Sequence, residues 1–339
     1  MRIARYATRR LALLVPVLLG ATLVAFLLTR IVPGNPIDKV AGPYVSVERR
    51  AQMKHEARLD LPIAQQFVLY VADVVTKGDL GVSYTTGQPV LNDLLQRFPA
   101  TFELVTFGMV LAILIAVPLG AVSALRKDSL GDQVGRVLAV LGVSIPIFWL
   151  GLLLLYLFFF RLSWAPPPLG RLPPLTTSPP HVTGLFTVDA LLAGQWQTLG
   201  QALAALILPA VTLAVTAMAP ITRITRSSMI EALESEFVRA STSLGLPWRT
   251  IVWRHAFRNA LIPVLTMIAA VYGFALGGEV IVEYVFSWPG LGNYALNAIL
   301  GSDFPAIQGM ILLVTTSYLV IYLLLDLSTA AIDPRVELT

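Results

Sequence analysis

The sequence predicts an all-α integral membrane protein with about six transmembrane helices and a small external helical region after the first. Three observations carry that prediction. Of 339 residues, 56% are hydrophobic and only 13% charged, whereas a soluble domain is about a quarter charged. The apolar residues are gathered into runs without ionisable side chains, each long enough to cross about 30 Å of hydrocarbon. Basic residues favour one side of those runs.

The runs are Leu11–Thr29, Leu104–Leu125, Val137–Phe160, Leu199–Thr222, Ala260–Gly278 and Phe304–Leu325. Arg2, Arg5, Arg9 and Arg10 precede the first, and Arg126, Lys127 and Arg136 separate the second from the third. Arg223, Arg226, Arg239, Arg249, Arg254 and Arg258 separate the fourth from the fifth, while Glu283 to Asp303 holds no Lys or Arg. The positive-inside rule then places both termini and the fourth connection in the cytoplasm. No cleavable leader is expected, because Leu11–Thr29 is longer than a usual signal core and lacks a small-residue cleavage site.

Arg30 to Phe102 reads as an external helical region. Ser46 is placed to cap a charged helix reaching about Leu59, and Pro62 opens a second with Ile63, Phe67, Tyr70, Val71 and Val74 on one side. Gly78-Asp79-Leu80-Gly81 is a turn signal, and Val90, Leu91, Leu94 and Leu95 form a third apolar face. These faces are expected to pack on the outer ends of the spans. The second external loop, 165–181, carries Pro166-Pro167-Pro168, Pro173-Pro174 and Pro179-Pro180, and reads as a stiff extended surface segment.

Between the fourth and fifth runs lies a stretch that must sit in water, Met229 to Pro263. Met229, Leu233, Phe237, Ala240 and Leu244 recur at helical spacing, with Glu231, Glu234, Glu236 and Arg239 largely elsewhere on the cylinder. Gly245 stands where a helix end favours a left-handed residue, and Pro247 suits the first turn of a new helix. That helix carries Trp248, Ile251, Val252 and His255 beside Arg249, Arg254 and Arg258. Thr242 is placed toward solvent. The pattern is a short amphipathic helix, a glycine break and a basic re-entry helix.

Glu236-Phe237-Val238-Arg239-Ala240, Gly245-Leu246 and Arg258-Asn259-Ala260-Leu261-Ile262-Pro263 resemble the cytoplasmic "EAA" loop of ABC importer permeases of the dipeptide/oligopeptide/nickel group. Glu283-Tyr284-Val285-Phe286-Ser287-Trp288-Pro289-Gly290-Leu291-Gly292 and Asp303-Phe304-Pro305 resemble that group's loop before its last span. The Gly-Asp-Leu-Gly turn, Arg97-Phe98-Pro99-Ala100-Thr101, Leu325-Asp326-Leu327 and Asp333-Pro334-Arg335 agree with it. The copy departs at Ser241-Thr242-Ser243-Leu244, where the group usually has an alanine-flanked basic run.

The resemblance implies a type I ABC importer permease fold, with an N-terminal region over 1–100, a permease domain over 101–330 and a tail over 331–339. Residues 223–259 would form the coupling loop, with Phe237, Val238, Arg239, Ala240, Ser241, Gly245 and Arg258 meeting an ATPase. It also implies partners: a homologous second permease, two cytoplasmic ATPases that bind ATP and Mg, an external solute-binding protein and membrane lipid, with no nucleic acid. Short peptides are the preferred substrate. Nickel complexes, glutathione and oligosaccharides are the alternatives within the same architecture.

The residues exclude several other chemistries. There is no cysteine, and His55, His181 and His255 fall far apart, so a metal site built from them is not expected. No P-loop, HExxH or GxSxG pattern occurs, so no bound cofactor and no enzyme activity are expected of the chain. A stand-alone secondary transporter usually shows ionisable residues inside its spans, each costing about 2.5–3.5 kcal/mol, and the span cores here have none. Glu279 and Glu283 mark either pathway mouths or snorkelling boundary residues. Pro146, Gly273, Gly277 and Gly278 serve equally as hinges or as close-packing positions. Trp288, with the turn-forming Pro289 and Gly290, is expected at an external membrane interface.

Overall fold

The computed structural model describes residues 2–31, 46–56, 58–133, 135, 142 and 144–332. Its helices are α1 (Arg2–Ile31), α2 (Val47–Glu56), α3 (Ile63–Lys77), α4 (Val90–Leu125), α5 (Ile147–Leu154), α6 (Phe186–Leu192), α7 (Trp196–Glu234), α8 (Glu236–Ser243), α9 (Phe257–Gly278), α10 (Val280–Val285), α11 (Leu291–Gly301) and α12 (Phe304–Ile332). Among the described residues five stretches are long and apolar enough to cross a membrane: α1, α4, α7, α12, and α9 with its lead-in from Trp248. The chain is an integral, multi-pass membrane protein. The third expected span is represented by the shorter Ile147–Arg161; residues 137–141 and 143 of its expected first half lie outside the described residues. So does the tail over 333–339.

The helices outrun the apolar runs that announced them. Hydropathy marks the part of a helix suited to lipid, whereas the backbone ladder continues wherever side chains can be satisfied. Thus α7 passes Thr222 and reaches Glu234. Beyond the apolar part, Arg226 donates through Nε and Nη2 to both oxygens of Asp132, each at 2.7 Å. The third external apolar face is likewise no separate helix. Val90 begins α4, which carries Pro99 and Pro118 and crosses the expected boundary at residue 100 without a break. Val90 and Leu94 are buried, while Leu91 and Leu95 remain exposed.

Small residues bring the two longest helices together. A Cβ at Gly108 would lie 3.2 Å from the Ala210 carbonyl, and one at Gly120 would lie 2.7 Å from the Thr222 carbonyl. Ala112, Ala116, Ala210, Ala214 and Ala217 belong to the same buried cluster. Backbones without bulky side chains between them gain dispersion contacts that lipid cannot supply. The α1 helix packs on α12, and α9 lies against α7 and α12.

The region between α1 and α4 follows the expected punctuation. Ser46 Oγ accepts from the Arg49 amide at 3.2 Å, Pro62 directly precedes α3, and Gly78 and Gly81 take φ of +65° and +87°. Phe67 and Tyr70 of α3 pack on the ring of Phe26 in α1.

Candidate functional site

The connection between α7 and α9 divides at Ser235. Its extended backbone (φ −74°, ψ 154°) ends α7 and starts α8. The expected single face from Met229 to Leu244 therefore splits. Met229 is fully buried with Ala121, Ala124, Val252 and Ala260, whereas Phe237, Ala240 and Leu244 are exposed on α8. One non-helical residue breaks the 3.6-residue phase, so positions that share a stripe in sequence face different ways.

Within α8, Val238 packs inward with Ala232, Ile251 and Ala256, although the spacing argument had not placed it on the apolar face. The helix ends as expected. Gly245 takes φ of +71°, its amide donates to Thr242 O at 3.0 Å, and the Leu246 amide donates to Ser241 O at 3.3 Å. These two bonds form the double closure of a Schellman cap. Pro247 sits one position before the single turn Trp248–Thr250, which widens into a π-helical segment, Ile251–Ala256. That segment points Ile251, Val252 and Ala256 inward and leaves Trp253 and Arg254 exposed, as Arg258 is at the start of α9. Phe237, Leu244, Leu246, Trp248 and Trp253 all present apolar surface to solvent. Arg239 and Ser241 bond within α8, to Glu236 Oε1 at 2.9 Å and Phe237 O at 2.7 Å.

Two ion pairs tie this loop to the connection after α4. Lys127 Nζ meets Glu234 Oε1 at 2.8 Å on the surface, and Arg226 grips Asp132, which also accepts from Ser123 Oγ and the Asp128 amide. The guanidinium of Arg226 is the chief reason that the Asp132 carboxyl lies well below the usual range, with Ser123 adding to it against the effect of burial. In sequence Arg226 counted only among the basic residues that orient the spans, and Asp132 was not singled out. An acid between two basic connections gave no local hint that it would meet a residue 94 positions away.

At the far end of α4, Trp288 is packed inside the protein rather than laid on its surface. It is 1% exposed and its Nε1 donates to Ala100 O at 2.8 Å. The reason is the carboxylate of Glu283, also fully buried, which accepts from Thr101 Oγ1 at 2.5 Å and from the Asn293 amide at 3.1 Å. These bonds draw the 283–293 turn against α4. Gly290 is required by close approach, since a Cβ there would overlap Glu283 Oε1 and Thr101 Oγ1. Glu279 follows α9 directly. Gly273 and Gly277 face α12 of the same chain, where a Cβ would strike the Tyr318 ring and lie 2.9 Å from Val314 Cγ1. The contact is the close packing that small residues allow. Pro146 precedes α5 in an extended conformation.

The proline-rich loop is more than a stiff surface segment. Arg171 is buried and pairs with Glu103 Oε2 at 2.6 Å, and Thr187 donates to Glu103 Oε1 through its amide and hydroxyl. Burial works against the Asp189 carboxylate, but bonds from Thr183, Gly184 and Val182 together hold it below the usual range. Glu103 stands one residue ahead of an apolar run, a placement that signals a paired carboxylate.

Among the described residues no group of three His, Cys, Asp or Glu could hold a metal ion. The chain matches two family profiles: "Binding-protein-dependent transport system inner membrane component" over residues 116–338 and the corresponding N-terminal component over residues 3–105. It is 40% identical to the dipeptide transport system permease protein DppB of Alkalihalophilus pseudofirmus, covering 98% of this chain and 99% of that protein. It is 40% identical to the probable D,D-dipeptide transport system permease protein DdpB of Escherichia coli, covering 95% and 94%. Similarity extends at 34% to the glutathione transport system permease protein GsiC of Salmonella choleraesuis, covering 98% of both. The chain belongs to the family of inner membrane components of binding-protein-dependent transport systems.

Proposed function

We propose that this chain is the permease subunit of an ATP-driven importer of short peptides and forms one half of its pathway. A homologous permease supplies the other half, two cytoplasmic ATPases bind ATP and Mg, and an external solute-binding protein delivers the peptide. Both termini and the α7–α9 connection face the cytoplasm. The chain itself performs no covalent step.

The observation that carries this reading is α8, a short helix fixed at one end by Val238 and closed at the other by Gly245, with Phe237 and Leu244 left exposed. A rigid rod with an apolar face transmits force where a tether would not. Phe237, Arg239, Ala240 and Ser241 are the ATPase-facing positions, Val238 and Gly245 hold the rod in aim, and Arg258 lies at the base of the re-entry helix. Pro146, Gly273, Gly277, Gly278 and Glu279 are the proposed pathway or hinge positions. Trp288, Pro289 and Gly290 set the external turn. Peptide as substrate draws on the printed names of the dipeptide relatives.

The test is reconstitution of the chain with its sister permease and ATPases in proteoliposomes. Uptake of labelled dialanine should require ATP and the binding protein. Uptake by the lone chain would overturn the reading.

A further inference from the structure

We infer that the cavity beneath the proline-rich loop is a carboxylate-binding site that receives the C-terminus of a short peptide. The inference rests on the peptide-import reading above. The cavity has a volume of ≈ 570 Å³ and is walled by Gln96 and Arg97 of α4 and by Arg171, Thr176, Ser178 and His181 of the loop. That volume falls within the range of about 300–1,000 Å³ found for small-molecule sites. Among the described residues no Asp or Glu lines it.

Arg171 anchors the site. Its side chain is 7% exposed, yet its bonds run through Nη2 alone, to Glu103 Oε2 at 2.6 Å and Gly184 O at 2.8 Å. Its Nε is buried without a partner. The guanidinium carbon lies 3.6 Å from the centroid of the Phe186 ring, which fixes the plane. A carboxylate is the ligand that a guanidinium binds best.

His181 is drawn to the same place. Gly184, at φ +79°, turns its carbonyl to Arg171, and a Cβ on it would lie 3.3 Å from His181 Nε2 and 2.9 Å from Pro99 Cγ. Arg97 forms another wall, held by Asp93 Oδ1 at 2.8 Å. The acids that hold these cations, Glu103 and Asp93, do not line the cavity. Asp189 is occupied by the amides of Val182, Thr183 and Gly184 and the Thr183 hydroxyl. Two guanidinium side chains therefore line the cavity while the carboxylates that hold them do not. Every unmodified linear peptide ends in a carboxylate whatever its side chains, so a site for that group tolerates many sequences.

The test uses the assembled importer in nanodiscs without its binding protein, titrated with dialanine and with dialanine amide and read by saturation-transfer NMR. Dialanine should bind about tenfold more tightly than its amide, the scale of a charge-assisted hydrogen bond. Ser178→Glu, at an exposed lining position, should erase that preference, and His181→Ala should reduce it. Neither variant disturbs the buried Arg171–Glu103 pair. Equal binding of the two compounds, or a preference untouched by Ser178→Glu, would overturn the site. If peptide binding is unchanged but the unliganded binding protein docks more weakly to Ser178→Glu, the carboxylate is a side chain of that protein and the peptide assignment falls. N-acetylglycinate against N-acetylglycinamide, run in parallel, reports carboxylate preference even if the complex imports no peptide. It thus separates failure of this site from failure of the import reading.

Discussion

Truncating Phe237 to Ala tests whether α8 is where the ATPase grips the chain. Its packing range as a core residue would be about 3–5 kcal/mol, but Phe237 is 37% exposed in the chain alone, and only that part remains for a partner to cover. For a side chain burying roughly 200 Å² in all, the exposed part is about 75 Å². At about 25 cal/mol per Å² its burial stabilises docking by about 2 kcal/mol, or roughly thirtyfold in affinity. The assay is titration of the ATPases onto permease pairs in nanodiscs, with ATP hydrolysis and peptide uptake measured on the same samples. Phe237→Ala should weaken docking by that factor and lower both activities together, with membrane insertion unchanged. Thr242→Ala is the control: the side chain is exposed and its hydroxyl bonds only to Val238 O. Normal docking and normal coupling in Phe237→Ala would refute the assignment of α8 as the contact.

Gly245→Val should also uncouple transport, because a Cβ meets no neighbour there but the left-handed backbone costs about 1–2 kcal/mol; wild-type ATPase coupling would count against it. Gly290→Ala should displace the Glu283–Thr101 bond and leave a buried carboxylate short of a donor, costing about 3 kcal/mol, read as a lower unfolding midpoint in detergent. Asp132→Asn should cost about 2 kcal/mol by weakening the Arg226 pair, on the same measurement. Because the folded Asp132 carboxyl is held below its unfolded value, its contribution is complete above about pH 5 and fades as pH falls below about 4. The cost of Asp132→Asn should therefore be flat from pH 5 to 8. With no native cysteine, Ser178→Cys should react with an impermeant maleimide on intact cells and Ser243→Cys only after permeabilisation; external labelling of Ser243→Cys would invert the topology.

What the sequence determined by itself is whatever depends on local chemistry. Apolar runs located the spans, because transfer of a helix into lipid depends on its own side chains. Ser46, Pro62, Gly78, Gly81 and Gly245 punctuated the helices correctly, since a cap or a positive φ is a property of a few adjacent residues. The motifs over 236–263 and 283–292 carried the family. Only the tertiary structure decided where those elements point and what they meet. Ser235 broke the helical phase, so Met229 turned inward while Phe237 stayed outside. Trp288, suited by its chemistry to a boundary, was drawn inside by Glu283 and Thr101. The Glu103–Arg171 and Asp132–Arg226 pairs join residues 68 and 94 positions apart. Such pairings are set by the packing of α4, α7 and the loops between them, and no local pattern of charge encodes which acid a buried guanidinium will find.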